Sequence, residues 1–183
     1  KNILQNFLKI LQQKTHKSVK VQLIQTLSIL IQNLRNEEAV NYILSNNHIN
    51  DLITHRFDFA DEELMSNYIS FLKSLSFRLN PGTVHLFFND REFPLYMEAI
   101  TFFNHDDHMV RVAVRTLTLN VFKVDDIRMR KFIVERSSGQ YFGNLMMFVR
   151  DKYLSMVLLL AETQHSDTSR LELAVQEQLD VWY

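Results

Sequence analysis

The sequence predicts an all-α fold, an α-solenoid of armadillo-like or HEAT-like helical repeats, and three observations support this. Only three glycines and two prolines occur in 183 residues, although the strands of a sheet protein are usually separated by turn residues about every ten positions. Apolar residues recur at helical spacing along most of the chain. A five-residue pattern returns on three long predicted helices at spacings of 48 and 42 residues, which is close to the period of such repeats.

In the first half of the chain, helical periodicity and capping residues define five predicted helices. They cover residues 2–13, 18–35, 36–44, 49–54 and 61–79. Asn36 precedes two glutamates and is expected to cap the third helix, and acidic residues open the fifth. The expected inner stripe of the second helix consists of Val19, Leu23, Leu27, Leu30 and Leu34.

In the second half, the segment 83–88 is too short for periodicity to separate a helix from a strand, and the helical context favours a helix. The other predicted helices cover residues 93–104, 106–124, 125–135, 141–162 and 170–183. Ser169 and Glu172 form a capping box for the last one. We expect the last two helices to pack on each other and cap the array. The apolar residues Tyr141, Phe142, Met146, Met147 and Phe148 are interpreted as core, or as an interface with further helices.

The repeated pattern is a long polar residue, a hydroxyl residue, leucine, a second hydroxyl residue and an apolar residue. It occurs in Gln25–Ile29, Lys73–Phe77 and Arg115–Leu119. A unit of two or three helices cannot bury its apolar face alone, so neighbouring units must stack. We therefore expect the three long helices to lie side by side, with Leu27, Leu75 and Leu117 buried to the same depth.

Composition limits the classes of function. The formal net charge of −1 gives no reason to expect a nucleic-acid partner. The absence of cysteine excludes disulfides, cysteine-based zinc sites and thiol nucleophiles. The longest apolar run, Met156–Ala161, is far shorter than the roughly 20 residues that span a bilayer. The chain lacks an initiator methionine, so we expect residues 1–183 to be one helical repeat domain from a longer protein.

The first residue of each repeat copy suggests a binding face. Gln25, Lys73 and Arg115 occupy equivalent positions, and Arg111 lies one turn before Arg115. If the copies stack, these side chains form a ladder on one face, where solenoids hold extended segments of partner proteins. An equally good interpretation is an interhelical polar spine whose side chains bind loop carbonyls.

The charges are unevenly distributed along the chain. Six basic residues and no acids lie between Lys1 and Asn36, whereas seven acids and one arginine lie between Glu37 and Glu63. An alternative function is therefore a peripheral lipid-binding module that contacts anionic headgroups. Its candidate residues are Lys9, Lys14, Lys17 and Lys20. A solvated helix surface explains the same charges without lipid.

The sequence contains no clear pattern for catalysis or metal binding. The segment 105–108, His-Asp-Asp-His, lacks the further ligands of a four-ligand zinc site, and one of its acids is expected to cap a helix. Asp58, Asp61, Glu62 and Glu63 form an acidic cluster. We interpret it as a helix N-terminus rather than a catalytic carboxylate pair. The sequence therefore predicts no catalytic residue, metal or cofactor.

Several blocks of the sequence resemble the FPL domain family. They are Val21–Leu30, Tyr42–Asn47, Phe57–Phe59, Tyr68–Lys73 and Arg111–Val121, together with Phe93-Pro94-Leu95, which matches the tripeptide that names the family. The blocks agree in order and cover nearly the whole chain, so the resemblance is specific.

The resemblance implies a cytoplasmic factor, peripheral on endosomal, lysosomal or Golgi membranes, that acts in endosome and lysosome maturation and in autophagy. Animal family members are linked to a Rab-type GTPase, to the late-endosomal tethering complex and to a ubiquitin ligase. We therefore expect a non-enzymatic scaffold that binds a trafficking GTPase or a tethering factor. The family supplies no catalytic residues to carry over to this sequence.

Overall fold

The computed structural model describes residues 3–13, 15–45, 47–162 and 172–176, and their regular structure is helical. The α-helices are α1 (Ile3–Gln12), α2 (Lys17–Asn33), α3 (Glu37–Leu44), α4 (His48–Ile53), α5 (Glu62–Ser76), α6 (Pro94–Ile100), α7 (His108–Lys123), α8 (Ile127–Ser137) and α9 (Gly143–Glu162). Val84–Leu86 form a 3-10 helix and Ser138–Phe142 a π-helix. An isolated antiparallel bridge joins Asn89 and Glu92. The all-α prediction is confirmed, including the helical interpretation of the segment around residue 84.

Short polar side chains begin several of these helices by accepting a hydrogen bond from a free backbone amide of the first turn. Asn36 accepts from α3 at 3.1 Å, as the sequence predicts. Asp61 accepts from α5 at 3.1 Å, and Asp107 from α7 at 2.7 Å. Asp126 accepts from an amide of α8 at 2.8 Å. The acids at residues 61, 107 and 126 therefore have a structural role as helix caps.

The chain divides into two compact units, Lys1–Phe132 and Ile133–Tyr183, with the boundary inside α8. In the first unit α5 is central and packs against α2, α6 and α7, while α4 packs against α1 and α6. Leu27, Leu75 and Leu117 are exposed by only 1%, 0% and 2%. The prediction that the three related helices adjoin and bury their shared leucine is confirmed. Assignment to armadillo-like or HEAT-like repeats, and to a single domain, stays a prediction.

The inner face of α2 differs from the predicted stripe. Val19 is 43% exposed, and Leu30 is only half-buried. The buried positions instead include Val21, Ile24 and Ile31. Apolar residues surround most of α2, so its sequence allows several inner faces, and packing against α5 selects one of them.

Several helix boundaries also differ from the prediction, and the helix expected over residues 93–104 ends at Ile100. The helix expected over residues 61–79 ends at Ser76, and the following turn residue, Phe77, is 60% exposed. The loop expected between residues 135 and 141 is replaced by the π-helix Ser138–Phe142, so helical structure continues without a break from α8 into α9. A single π-helical turn inserts extra residues while keeping the backbone hydrogen-bonded, which a sequence pattern does not reveal.

In the second unit, α9 follows directly on the π-helix. None of the side chains described in α9 is buried. Residues 172–176 are helical, but the rest of the helix predicted over residues 170–183 lies outside the described residues. Its predicted packing against α9 therefore stays a prediction. Over the described residues, no helix combines the length and apolar character that crossing a membrane requires.

Candidate functional site

Two hydroxyl residues of the repeat pattern, both on α5, join this helix to the other two long helices. On α5, Ser74 and Ser76 flank the buried Leu75, and both are themselves buried. The side-chain amide of Gln32 on α2 donates to Ser74 Oγ at 2.7 Å. The side-chain amide of Asn120 on α7 donates to Ser76 Oγ at 3.0 Å. These two serines of α5 are therefore interhelical hydrogen-bond acceptors, whereas Ser28 on α2 and Thr116 on α7 donate to carbonyls of their own helices.

Arg78, just beyond the end of α5, links α5 to the end of α2. Its guanidinium donates from Nε to the carbonyl of Ile31 at 3.0 Å and from Nη2 to the carbonyl of Gln32 at 2.9 Å, and Nη2 also contacts the Ile31 carbonyl. The last carbonyls of a helix have no partner within that helix, so a neighbouring cation that donates to them is stabilising. Sequence reasoning missed this residue, because no local pattern pairs Arg78 with a segment 46 or 47 positions away.

The four residues of the predicted ladder are all half-buried, but their contacts differ. Gln25 accepts a hydrogen bond from Gln22 at 3.1 Å. Arg111 donates to the carbonyls of His105 and Asp106, each at 2.7 Å. Arg111 therefore holds the loop that precedes α7, which is the polar-spine role weighed against partner binding.

Lys73 and Arg115 remain as the candidate cations of the ladder. They lie on the adjoining helices α5 and α7, each two residues before the buried leucine of its copy. Among the described residues, neither side chain makes a hydrogen bond or an ion pair. Long basic side chains can bury their alkyl stems along a helix surface and keep the charged group in water. These two charges are therefore available to an acidic partner.

The basic N-terminal segment meets the acidic cluster. Lys17, the first residue of α2, lies 2.6 Å from the Asp61 carboxylate and 3.7 Å from that of Glu63. The hydrogen bond from Lys17 is the main reason why the pKa of Asp61 is lowered, and a second cause is the hydrogen bond from the Leu64 amide. The same ion pair with Asp61 raises the pKa of Lys17.

The other lysines proposed for lipid contact are placed differently. Lys9 is exposed on α1, and Lys20 is half-buried on α2. Lys14 lies outside the described residues. Since Lys17 already pairs with two carboxylates, the structure offers less free positive charge for a lipid headgroup than the sequence suggests.

An aromatic cluster near the acidic residues Asp58 and Asp61 has a structural role. The rings of Phe57, Phe59 and Phe102 surround Tyr68, with centroid distances to it of 5.4, 5.0 and 6.2 Å. The buried hydroxyl of Tyr68 donates to the carbonyl of Ile53 at 2.5 Å, and burial raises the pKa of Tyr68. The rings fill the space between them, so the cluster contributes core packing rather than a ligand pocket.

Two of the side chains weighed for chemistry, Asp58 and His105, make local contacts with the backbone. Asp58 accepts from the backbone amide of Ala60 at 3.2 Å, as in an Asx turn. His105 accepts from the Asp107 amide at 3.0 Å and so belongs to the turn that starts α7. Within the part of the chain that the structure describes, no three His, Cys, Asp or Glu residues are grouped to hold a metal ion.

The Phe93-Pro94-Leu95 tripeptide is part of the core. Phe93 and Leu95 are buried, and Pro94 is the first residue of α6, where a missing amide proton is not needed. Phe93 stacks on Tyr96 with a centroid distance of 5.8 Å and contacts Phe88 edge-on at 5.6 Å. These contacts give the motif a role in folding.

The described residues form a helical module in which the three related helices adjoin, and comparison with known proteins identifies its family. The sequence model of the FPL family, described as "Uncharacterised conserved protein", matches residues 1–122. The chain therefore belongs to the FPL family. No solved structure matches it.

Similar full-length proteins occur in animals and plants. The chain is 47% identical over 98% of its length to "Protein CLEC16A homolog" of Drosophila melanogaster and 46% identical over 98% to "Protein CLEC16A" of Homo sapiens. It is 40% identical over 91% of its length to "Protein TRANSPARENT TESTA 9" of Arabidopsis thaliana. The matched regions are 17%, 18% and 20% of those proteins, so the chain spans about a fifth of their length.

Proposed function

We propose that this chain is a non-enzymatic protein-binding module of membrane trafficking, acting at endosomes and lysosomes and in autophagy. Its partner is a Rab-type GTPase or a subunit of a late-endosomal tethering complex, and a ubiquitin ligase is a further partner of the same scaffold. The proposed location, on the cytoplasmic surface of these membranes, is the one that the resemblance to the FPL family implies. The scaffold role is supported by adjoining repeat helices that offer a continuous surface.

The observation that carries the binding face is the pair Lys73 and Arg115. Both sit at equivalent places on adjoining helices, and neither is engaged by the described residues. An arginine can bind a carboxylate through two parallel hydrogen bonds, which favours recognition of an acidic segment. Arg111, in contrast, is engaged by loop carbonyls and is left out of the face.

The test is a double charge reversal, Lys73→Glu with Arg115→Glu, measured by calorimetric titration against purified Rab-type GTPases and tethering subunits. We expect the Kd to rise more than tenfold, which corresponds to about 1.4 kcal/mol, while the melting temperature stays nearly unchanged. The matched control is Arg91→Glu with Lys123→Glu, which changes the net charge equally at two exposed residues outside the face.

Each alternative result has a definite meaning. Loss of folding in the double variant would show that the two residues form a structural spine. Unchanged affinity and stability would place the docking face elsewhere. Flotation of the unmodified chain with anionic liposomes, lost in a variant of Lys9 and Lys20, would instead support the lipid-binding function.

A further inference from the structure

The helix α9 exposes a broad apolar face. Seven large apolar side chains along it are between 40% and 67% exposed. They are Met146, Met147, Tyr153, Leu154, Val157, Leu158 and Leu160. Side chains of this size and exposure together present roughly several hundred Å² of accessible surface, which lies at the upper end of what monomeric proteins leave in one patch. The area that each partner buries in a standard interface is about 800 Å².

The centre of this face has the spacing of a coiled-coil seam. Met146, Arg150, Tyr153, Val157 and Leu160 follow one another at intervals of four, three, four and three residues. A repeat of four and three keeps a stripe turned toward one neighbouring helix. The expected occupant of the face is therefore another α-helix and not an extended peptide or a small ligand.

The stripe is also nearly symmetric about Tyr153: Met146 and Leu160 each lie seven residues from it, and Arg150 and Val157 lie three and four residues from it. If two copies of α9 lie antiparallel, Tyr153 meets its counterpart at the twofold axis, Met146 faces Leu160 of the other copy, and Arg150 faces Val157. Every layer then brings together apolar groups, apart from the two equivalent layers in which Arg150 of one copy meets Val157 of the other. An interface in which the same patch is used by both copies requires this kind of self-complementarity.

The contacts of Arg150 remove the main objection to this pairing. Its guanidinium donates to Asp151 Oδ1 from Nε at 3.0 Å and from Nη2 at 2.8 Å. Asp151 lies beside the stripe, on the polar side of the helix that also carries Ser155. The charged group is therefore held at the edge of the seam and already paired, while its alkyl stem can pack against Val157 of the other copy.

We propose that this chain forms a homodimer through an antiparallel pair of α9 helices, centred on Tyr153. The proposal is independent of the trafficking function, because it uses neither Lys73 nor Arg115. A single polar residue on such a seam favours one register over others at some cost in stability. Arg150 has that role here.

The first experiment is sedimentation equilibrium of the whole 183-residue chain over a wide concentration range. The chain has a mass of 21.8 kDa, and we expect a species of twice that mass. Val157→Asp, in the middle of the seam, should give the monomer. The matched control is Ser155→Asp, which places the same charge on the exposed opposite side of α9 and should leave the dimer intact. A monomeric unmodified chain at all concentrations would overturn the proposal and assign the face to another segment or partner.

The second experiment uses the absence of cysteine from the chain, so that any disulfide must form at the introduced residues. Tyr153→Cys should cross-link to itself on mild oxidation. Met146→Cys mixed with Leu160→Cys should give the mixed disulfide in preference to either symmetric one, because antiparallel helices bring these two positions together. Symmetric cross-links of Met146→Cys would show a parallel pair, and no cross-link at any position would show that α9 does not pair with itself. This result does not depend on whether Val157→Asp folds.

Discussion

The shared leucine and its two hydroxyl neighbours have separate roles on α5. Leu27, Leu75 and Leu117 fill the space between helices, because each is almost completely buried. The hydroxyls at Ser74 and Ser76 instead bind amide groups of neighbouring helices. The pattern recurs because close packing around a buried leucine leaves nearby polar atoms without water, and each of those atoms needs a partner in the protein.

Replacing Leu117 with Ala removes buried methyl groups from α7 and leaves a cavity. We expect the free energy of unfolding to fall by about 2–5 kcal/mol, measured by urea denaturation. Leu119→Ala, two residues further on and 43% exposed, is the control and should cost much less. Equal losses from the two substitutions would contradict the burial that makes the repeat leucine important.

The ion pair between Lys17 and Asp61 makes stability depend on pH. The pKa of Asp61 is lowered in the folded chain from the usual 3.8. Its charged form therefore stabilises the fold above that value, and this stabilisation is lost as the pH falls through the lowered pKa. The pKa of Lys17 is raised from 10.5, so its contribution is present below that value and is lost as the pH rises through the raised pKa.

Asp61→Asn should flatten the acid side of this profile. Asparagine still caps a helix, so the substitution removes the charge and keeps the hydrogen bond to α5. The free energy of unfolding, measured by urea denaturation from neutral pH to below pH 3.8, should fall less steeply than in the unmodified chain. Glu62→Gln removes a charge from the same helical turn without breaking this ion pair and serves as control. An unchanged slope in Asp61→Asn would show that the pair has no part in acid unfolding.

At the scale of helices, sequence reasoning identified the elements better than their contacts. The helices and the capping roles of Asn36 and of the acids before α5 and α7 follow from local rules, so a single sequence contains enough information to predict them. The buried face of α2 does not follow, because its apolar residues fit more than one face and α5 makes the choice. The same holds for Arg78, whose partners are 46 and 47 residues away.

The candidate binding face shows the same limit. The sequence placed Lys73, Arg111 and Arg115 in one ladder because they share a register. The structure separates Arg111 from the other two, because the connection between α6 and α7, residues 101–107, brings two carbonyls within its reach. Register predicts which side chains share a helix face, whereas the path of the adjoining loop decides which of them remain available.

Arg78→Ala should loosen the contact between α2 and α5. Two carbonyls at the end of α2 lose their donor, so we expect a loss of about 1–3 kcal/mol in the free energy of unfolding. Arg78→Lys should recover only part of it, because an ammonium group cannot reproduce the planar fork that reaches both carbonyls. Arg91→Ala, at an exposed position, is the control. Full recovery by lysine would mean that charge alone, and not the geometry of the guanidinium, holds the end of α2.

At the scale of the whole molecule, the two compact units differ in how their helices are buried. In Lys1–Phe132, α5 is covered by α2, α6 and α7. In Ile133–Tyr183, α9 has no buried side chain among those described. Local stability follows the number of buried apolar contacts, so the units should open with different free energies.

Native-state hydrogen exchange should therefore rank the helices by their free energy of opening. We expect the amides of α5 to exchange slowest, since their release requires opening of the first unit. The amides of α9 should exchange much faster at low protein concentration, where α9 has no partner copy. Raising the concentration should then slow exchange in α9 and leave α5 unchanged, because dimerisation protects only the helix that enters the interface. Protection of α9 equal to that of α5 even in dilute solution would mean that the apolar face of α9 is covered within a single chain. The predicted difference in stability between the two units would then be wrong.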